Sequence, residues 1–168
     1  MKWILDIGCG RGAILLMAAQ HLTTGHAVGI DIWKRGDQSG NAAEATLRNA
    51  AAEGVTKRVE LQTADMTELP FADNSFDIVL SNIAIHNVRG REARARAVAE
   101  AARVLRPGGR LLLADMRATG GYPRQLAQLG MTGVSRRSLG WRMWWSGPWP
   151  PLTWSPPPNR WLRSLDEG

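Results

Sequence analysis

The chain has 168 residues, of which 44% are hydrophobic and 21% charged, and these values are typical of one globular domain with a single core. No apolar run approaches the roughly 18 residues that cross a bilayer, and no signal peptide precedes the first predicted strand, so we expect a cytoplasmic protein. Its one cysteine, Cys9, excludes an internal disulfide.

The net charge of +6 is unevenly distributed. Residues 1–116 carry 14 Lys and Arg against 13 Asp and Glu, whereas residues 117–168 carry 7 against 2. A nearly neutral globular part does not support a surface that coats nucleic acid, so we expect nucleic acid not to be the partner.

Apolar runs and amphipathic segments alternate along the chain, which is typical of an α/β fold. In chain order, the patterns predict strand 3–7, helix 13–22, strand 27–30, helix 42–53, strand 59–63, strand 76–80, helix 91–105, strand 110–114, helix 122–129 and strand 133–141. Pro107, Gly108 and Gly109 predict a turn before the fifth strand. The expected architecture is a Rossmann-like, doubly wound, mostly parallel sheet with helices on both faces.

The composition changes after Trp141. Residues 141–161 hold six of the eight tryptophans, and residues 148–158 hold six of the nine prolines. Because proline prevents continuous ladder pairing, we predict a domain over 1–141 and an irregular, basic tail over 142–168. Two interpretations of the tail stay open: a poorly ordered appendage, or an aromatic surface that meets substrate, partner or the membrane periphery.

The glycine loop Gly8-Cys9-Gly10-Arg11-Gly12-Ala13 fits two patterns. Gly8, Gly10 and Ala13 match the dinucleotide fingerprint, whereas Gly8, Gly10 and Gly12, preceded by Asp6, resemble the loop of class I methyltransferases. A dinucleotide places its pyrophosphate at the helix N-terminus, where a neighbouring acid is unfavourable. S-adenosylmethionine has no phosphate and carries an ammonium and a sulfonium, which suit an acid. Asp6 therefore favours the second pattern.

Further polar residues follow the other predicted strands. Asp31 ends the second strand and is a candidate acceptor for ribose hydroxyls, and Asp65 ends the third and is a candidate acceptor for an adenine amino group. Ile32 is a candidate apolar contact for the adenine ring, and Asn82, after the fourth strand, for the amino-acid end of the cofactor. Ligands of open α/β sheets bind at the carboxyl ends of the strands, where all these residues are expected.

The ordered set of motifs resembles the class I S-adenosylmethionine-dependent methyltransferases, especially the branch similar to ubiquinone/menaquinone C-methyltransferases. The matching segments, within residues 3–116, are 5–12, 29–31, 64–66, 69–77 and 103–111. The resemblance implies S-adenosylmethionine as cofactor and S-adenosylhomocysteine as product. The predicted cofactor-binding residues are Asp6, Gly8, Cys9, Gly10, Asp31, Ile32, Ala64, Asp65, Met66 and Asn82.

Two departures from the family pattern shape the expected fold. Family members usually carry lid helices ahead of the first strand and two further strands at the end of the sheet. Here the first strand begins almost at Met1, and only one strand is predicted after residue 130. We therefore expect absent lid helices and incomplete or divergent C-terminal strands.

His86, four residues after Asn82, is the candidate catalytic residue, because a neutral imidazole suits an acceptor that must lose a proton. Cys9 lies in the glycine loop and not after the fourth strand, which disfavours cytosine-type methylation, and we predict no metal site. A small-molecule methyl acceptor is the expected partner. The alternatives are an RNA methyltransferase, or a non-catalytic cofactor-binding remnant or partner subunit.

Overall fold

The computed structural model of the protein describes residues 1–34, 42–115 and 119–137. Residues Met1–Val134 form one compact unit. The predicted boundary at residue 141 and the tail over 142–168 lie outside the described residues and stay predictions. No helix of the described ranges is long and apolar enough to cross a membrane.

Five parallel strands form one sheet in the order β3-β2-β1-β4-β5. The strands are β1 Lys2–Ile7, β2 Gly25–Asp31, β3 Val59–Thr63, β4 Phe76–Asn82 and β5 Leu105–Ala114. The strand order reverses at β1, which lies between β2 and β4, and this reversal opens a crevice at the carboxyl ends of these strands. The predicted doubly wound fold is confirmed.

Helices cover both faces of this sheet. They are α1 Ala13–Gln20, α2 Ala43–Ala52, α3 Arg91–Arg103 and α4 Tyr122–Gln128, with short 3-10 turns at Thr56–Arg58, Ile85–Asn87 and Thr119–Gly121. Side chains of a strand alternate between faces, so Ile4 packs with α1 and α2, whereas Leu5 and Ile7 pack with α3. A third cluster joins α3 to α4 through Val98 and Leu126.

The predicted turn at Pro107–Gly109 is wrong, because these residues lie inside β5. Phe76 pairs with Leu105, but Ile78 pairs with Arg110, so β5 carries extra residues where β4 carries only one. The turn-forming residues therefore make a bulge that bends the strand without ending it. A Cβ on Gly109 would lie 2.8 Å from the Asp77 carbonyl oxygen, which explains a glycine there.

The predicted strand at 133–141 is also wrong over residues 133–137, which form no strand. Gly130 and Gly133 have φ values of 82° and 65°, and this left-handed backbone interrupts an extended run. Residues 138–141 lie outside the described part of the chain.

Candidate functional site

The carboxyl edge of the sheet gathers polar residues from every strand. In sheet order these are Asp65 after β3, Asp31 at the end of β2, the glycine loop after β1, Asn82 at the end of β4 and Asp115 after β5. The chain order of these residues is different, so the parallel topology brings them together.

The glycines of the loop are required by packing within the protein. Gly8 and Gly12 have φ values of 74° and 89°, which disfavour other residues. A Cβ on Gly8 would collide with the Cβ of Ala84 in the loop after β4, and a Cβ on Gly12 would lie 2.7 Å from Cγ2 of Thr46 in α2. The loop is thus clamped between β4 and α2.

The backbone N–H groups of the loop are mostly used inside the protein. Gly8 and Cys9 both donate to the Ile30 carbonyl, at 2.8 and 3.0 Å, and Gly12 donates to the Cys9 carbonyl at 2.8 Å. Gly10 donates to Asp31 Oδ2 at 3.0 Å. A pyrophosphate would need these donors. The loop therefore fits an adenosyl ligand that has no phosphate.

Asp31 is held in a fixed orientation. Its Oδ2 accepts from Gly10, and its Oδ1 accepts from the backbone N–H of Trp33 at 2.7 Å. Each oxygen of a carboxylate can accept more than one hydrogen bond, so an acid held in this way suits a ligand that carries neighbouring hydroxyls. The Trp33 indole donates to Thr63 Oγ1 at 2.8 Å and packs on the core, whereas Ile32 is 54% exposed beside it.

Residues Ala64 to Met66 form the next part of the edge. The Ala64 N–H donates to the Asp31 carbonyl at 3.2 Å. Asp65 Oδ1 accepts from both the backbone N–H and the hydroxyl of Thr67, at 2.8 Å each. Its exposed carboxylate keeps Oδ2 for another donor. Met66 packs against the core clusters, and its Cε lies 3.4 Å from the position of a Cβ on Gly8.

Asp6 and Cys9 are buried beneath this surface. Asp6 is 2% exposed, and burial raises its pKa to about 7, with the Leu15 backbone N–H opposing and the Asp31 charge adding to the shift. Burial also raises the pKa of the Cys9 thiol, as do the charges of Asp6 and Asp31. Because the thiolate is the reactive form, Cys9 is a packing residue whose Sγ lies near Gly29.

Strand β4 ends in one buried residue, Ser81, and one exposed residue, Asn82. Ser81 is buried, and its hydroxyl donates to the Ile7 carbonyl at 2.9 Å, which ties β4 to β1. Asn82 is exposed and pairs with Ala114. The side-chain amide of Asn82 is thus accessible at the carboxyl edge of the sheet.

His86 forms a pair with Asp115, a residue that sequence reasoning missed. His86 Nδ1 lies 2.5 Å from Asp115 Oδ1, and the His86 backbone N–H donates to Asp115 Oδ2 at 2.9 Å. The Asp115 side chain is 2% exposed and that of His86 15% exposed. The available signal was the position of Asp115 directly after a strand, as with Asp31 and Asp65.

Helix α2 contributes two hydrogen-bond donors to the glycine loop that sequence reasoning also missed. The Thr46 hydroxyl is fully buried and donates to the Gly10 carbonyl at 2.7 Å, and the Asn49 amide donates to the Arg11 carbonyl at 2.9 Å. No sequence signal identifies these residues, because a polar residue inside an alanine-rich helix looks solvent-facing. Within the described residues, no group of three or more His, Cys, Asp or Glu is arranged to hold a metal ion.

Comparisons with known proteins agree with this geometry. A family model described as a methyltransferase domain matches residues 5–113. A demethylmenaquinone methyltransferase of Symbiobacterium thermophilum is 37% identical over 65% of this chain and 40% of that protein. A 27-O-demethylrifamycin SV methyltransferase of Amycolatopsis mediterranei is 39% identical over 67% and 38%.

A solved S-adenosylmethionine-dependent methyltransferase of Methanosarcina mazei matches the fold with a TM-score of 0.55 and 32% identity. The match covers 66% of this chain and 51% of that one. The chain thus spans less than half the length of the two curated relatives described above.

Proposed function

The chain belongs to the methyltransferase-domain family of class I S-adenosylmethionine-dependent methyltransferases, and we propose that it methylates a small organic acceptor. S-adenosylmethionine is the cofactor of this class. The observation that carries the proposal is the clamped glycine loop, whose N–H groups are used internally while carboxylates flank it.

We assign the cofactor's parts to residues of the sheet edge. Asp31 accepts from the ribose hydroxyls, since Gly10 and Trp33 hold its carboxylate in one orientation and each oxygen can accept more than one hydrogen bond. Asp65 accepts from the adenine amino group through Oδ2, and the exposed side chain of Ile32 covers the ring. Asn82 holds the amino-acid end. Cys9 and Ala64 contact the cofactor through backbone atoms, since the Cys9 side chain is buried in the core.

Asp6 acts in this assignment through its charge. Because Asp6 is buried under the loop, its carboxylate meets the Leu15 N–H and not solvent. A cation above the loop favours the ionised carboxylate, and the two negative charges of Asp6 and Asp31 favour a cationic ligand in return. A bound S-adenosylmethionine supplies an activated methyl group, and the protein supplies alignment and exclusion of water.

The small-molecule acceptor rests on two supports. Both relatives named above carry small molecules in their names, a demethylmenaquinone and a demethylrifamycin. In addition, the part of the chain that forms the sheet is nearly neutral, which gives no broad basic surface for RNA.

Calorimetry with S-adenosylhomocysteine and with NADH tests the cofactor site. We expect binding of the first only, and Asp31→Asn should weaken it by about 1–3 kcal/mol, or roughly 5- to 150-fold, because a charged acceptor is lost. Asp73→Asn is the matched control, since Asp73 lies in the exposed loop that enters β4 at the opposite edge. Equal affinity of the Asp31 and Asp73 variants would remove Asp31 from the site.

Transfer of label from methyl-labelled S-adenosylmethionine tests the acceptor class. The protein is incubated with a panel of small phenols and reduced naphthoquinones in one series and with a tRNA transcript in another. Labelled small molecules support the proposal. Label found on the transcript alone would replace it with the RNA alternative.

A further inference from the structure

The assignment of the cofactor's parts given above does not use the pair formed by His86 and Asp115. We propose that Asp115 is a positioning residue that fixes the His86 ring so that Nε2 accepts the proton of an acceptor hydroxyl. The inference rests on the proposed function and deepens it, because it restricts the acceptor to molecules whose nucleophilic oxygen carries a proton.

Both carboxylate oxygens of Asp115 contact His86. Oδ1 contacts the ring at Nδ1, 2.5 Å away, and Oδ2 accepts from the backbone N–H of the same His86 at 2.9 Å. Two bonds to one residue fix both its backbone and its ring. An acid that only stabilised the turn Ile85–Asn87 would need the bond to the backbone N–H alone, and not the bond to the ring.

The chemistry of the pair selects the ring tautomer. An ionised carboxylate only accepts hydrogen bonds, so the His86 nitrogen that faces it must be the one that carries hydrogen. A neutral His86 then has its lone pair on Nε2. In this tautomer Nε2 is the ring nitrogen that can take a proton from the acceptor.

The segment that carries His86 is fixed between the glycine loop and β5. Ala84, two residues earlier, fills the space beside Gly8, and the Ile83 N–H donates to the Ala114 carbonyl at 2.8 Å. Ile83 has a φ of 52°, so the chain turns sharply as it leaves β4. His86 therefore follows by two residues the one that packs against the glycine loop, and 15% of its side chain is exposed.

Tyr122 of α4 lies near Asp115 and packs in one cluster with Ile85, the neighbour of His86. Its hydroxyl is buried and has no hydrogen bond of ordinary geometry within the described residues. Burial raises the Tyr122 pKa to about 12, and the nearby Asp115 charge adds to this shift while Arg94 opposes it. Tyr122 thus stays a neutral phenol near the Asp115 carboxylate.

The proposed step moves one proton to His86 and one methyl group to the acceptor. The acceptor oxygen gives its proton to His86 Nε2 and forms a bond to the methyl carbon. The carbon–sulfur bond breaks, and its electron pair stays on sulfur, which becomes neutral. The imidazolium beside Asp115 then releases its proton to water. General bases of this kind contribute about 10²- to 10⁴-fold in rate.

Nitrogen NMR tests the positioning directly. Long-range ¹H–¹⁵N spectra of the full chain with labelled histidine, at alkaline pH, distinguish the two ring tautomers, and His86→Gln identifies the signals among the three histidines. We expect hydrogen on Nδ1 and a bare Nε2 in the unsubstituted protein. Asp115→Asn should shift His86 toward the other tautomer and leave His21 and His26 unchanged.

Hydrogen on Nε2 in the unsubstituted protein would overturn the inference. An Asp115→Asn spectrum identical to that of the unsubstituted protein would overturn it as well. The unsubstituted spectrum decides the tautomer by itself, so a variant that fails to fold leaves no gap. His86→Gln should keep its affinity for S-adenosylhomocysteine within about 3-fold, since His86 does not hold the cofactor in this assignment. A larger loss places His86 in the cofactor site and contradicts the proposal.

The hydroxyl acceptor is tested with catechol as the probe. Catechol added to protein saturated with S-adenosylhomocysteine should move the His86 Nε2 signal in the unsubstituted protein, because a hydroxyl donates to the bare nitrogen. An unmoved signal would overturn the acceptor class. Failure of S-adenosylhomocysteine to bind at all would instead overturn the proposed function, so the two failures are separate.

Discussion

Replacement of Asp6 by asparagine removes a buried carboxylate while keeping its shape. Asp6 lies within β1, is 2% exposed and receives the Leu15 N–H. Asparagine can accept the same hydrogen bond through its carbonyl oxygen. The substitution therefore changes the charge of this position and little else.

The sign of the pH effect follows from the raised pKa. An unfolded Asp6 loses its proton near its ordinary value of 3.8, whereas burial raises the folded pKa to about 7. Between these values the folded state holds more protons than the unfolded state, so Asp6 makes stability fall as pH rises through this window. Above the folded pKa the loss is complete and stays constant.

The magnitude follows from the same two values. A difference of about three pKa units corresponds to a loss on the order of 4 kcal/mol once the pH exceeds both values. Between about pH 5 and pH 8, the part of this loss that develops is roughly 2–3 kcal/mol. That is a large fraction of the stability of a typical domain.

Urea unfolding at about pH 5 and pH 8 measures the effect in both proteins. The free energy of unfolding of Asp6→Asn minus that of the unsubstituted chain should increase by roughly 2–3 kcal/mol between the two pH values, with similar urea slopes. Subtraction removes the other titrating groups, and Asp73→Asn, an exposed acid, should show no such increase. A constant difference for Asp6→Asn, or one that falls with pH, would refute the reasoning.

Two further predictions concern the clamp around the glycine loop. Thr46→Val keeps the methyl against Gly12 but leaves the Gly10 carbonyl without its donor, so it should lower the free energy of unfolding by about 1–3 kcal/mol. It should also weaken the binding of S-adenosylhomocysteine more than Thr46→Ser does, because serine keeps the hydroxyl. Equal affinities of the two variants in calorimetry would contradict this. Gly8→Ala should destabilise by strain at a φ of 74°, about 1–2 kcal/mol, and by collision with Ala84. Addition of Ala84→Gly should recover only the collision part in urea unfolding, and no recovery would mean that the two residues do not meet.

The sheet and one edge of the site were predictable from local patterns. Short apolar runs that end in an acid or a glycine identify strands, and parallel strands bring their carboxyl ends to one edge whatever the loops between them do. Asp31 and Asp65 could therefore be placed without coordinates. The same rule would have found Asp115, had the residue after β5 been weighed like the others.

Contacts between distant segments were not predictable. Thr46 reaches the Gly10 carbonyl across 36 residues, and Asp115 reaches His86 across 29. Such contacts depend on how helices pack on the sheet, and no periodicity of a single chain records that geometry. The bulge in β5 was missed for a related reason. A proline and two glycines end most strands, but β5 pairs with β4 on both sides of these residues and so continues through them.

The glycine loop shows how a motif can be identified correctly for an incomplete reason. Its glycines suggested bare backbone that approaches a ligand, yet Gly8 and Gly12 are required by Ala84 and Thr46. What separates a phosphate-binding loop from this one is the acceptor of each N–H group: Ile30, Cys9 and Asp31 take four of them. Because Asp31 takes one of them with a carboxylate, the end of β2 is bonded directly to the glycine loop, and the conformation of each depends on the other.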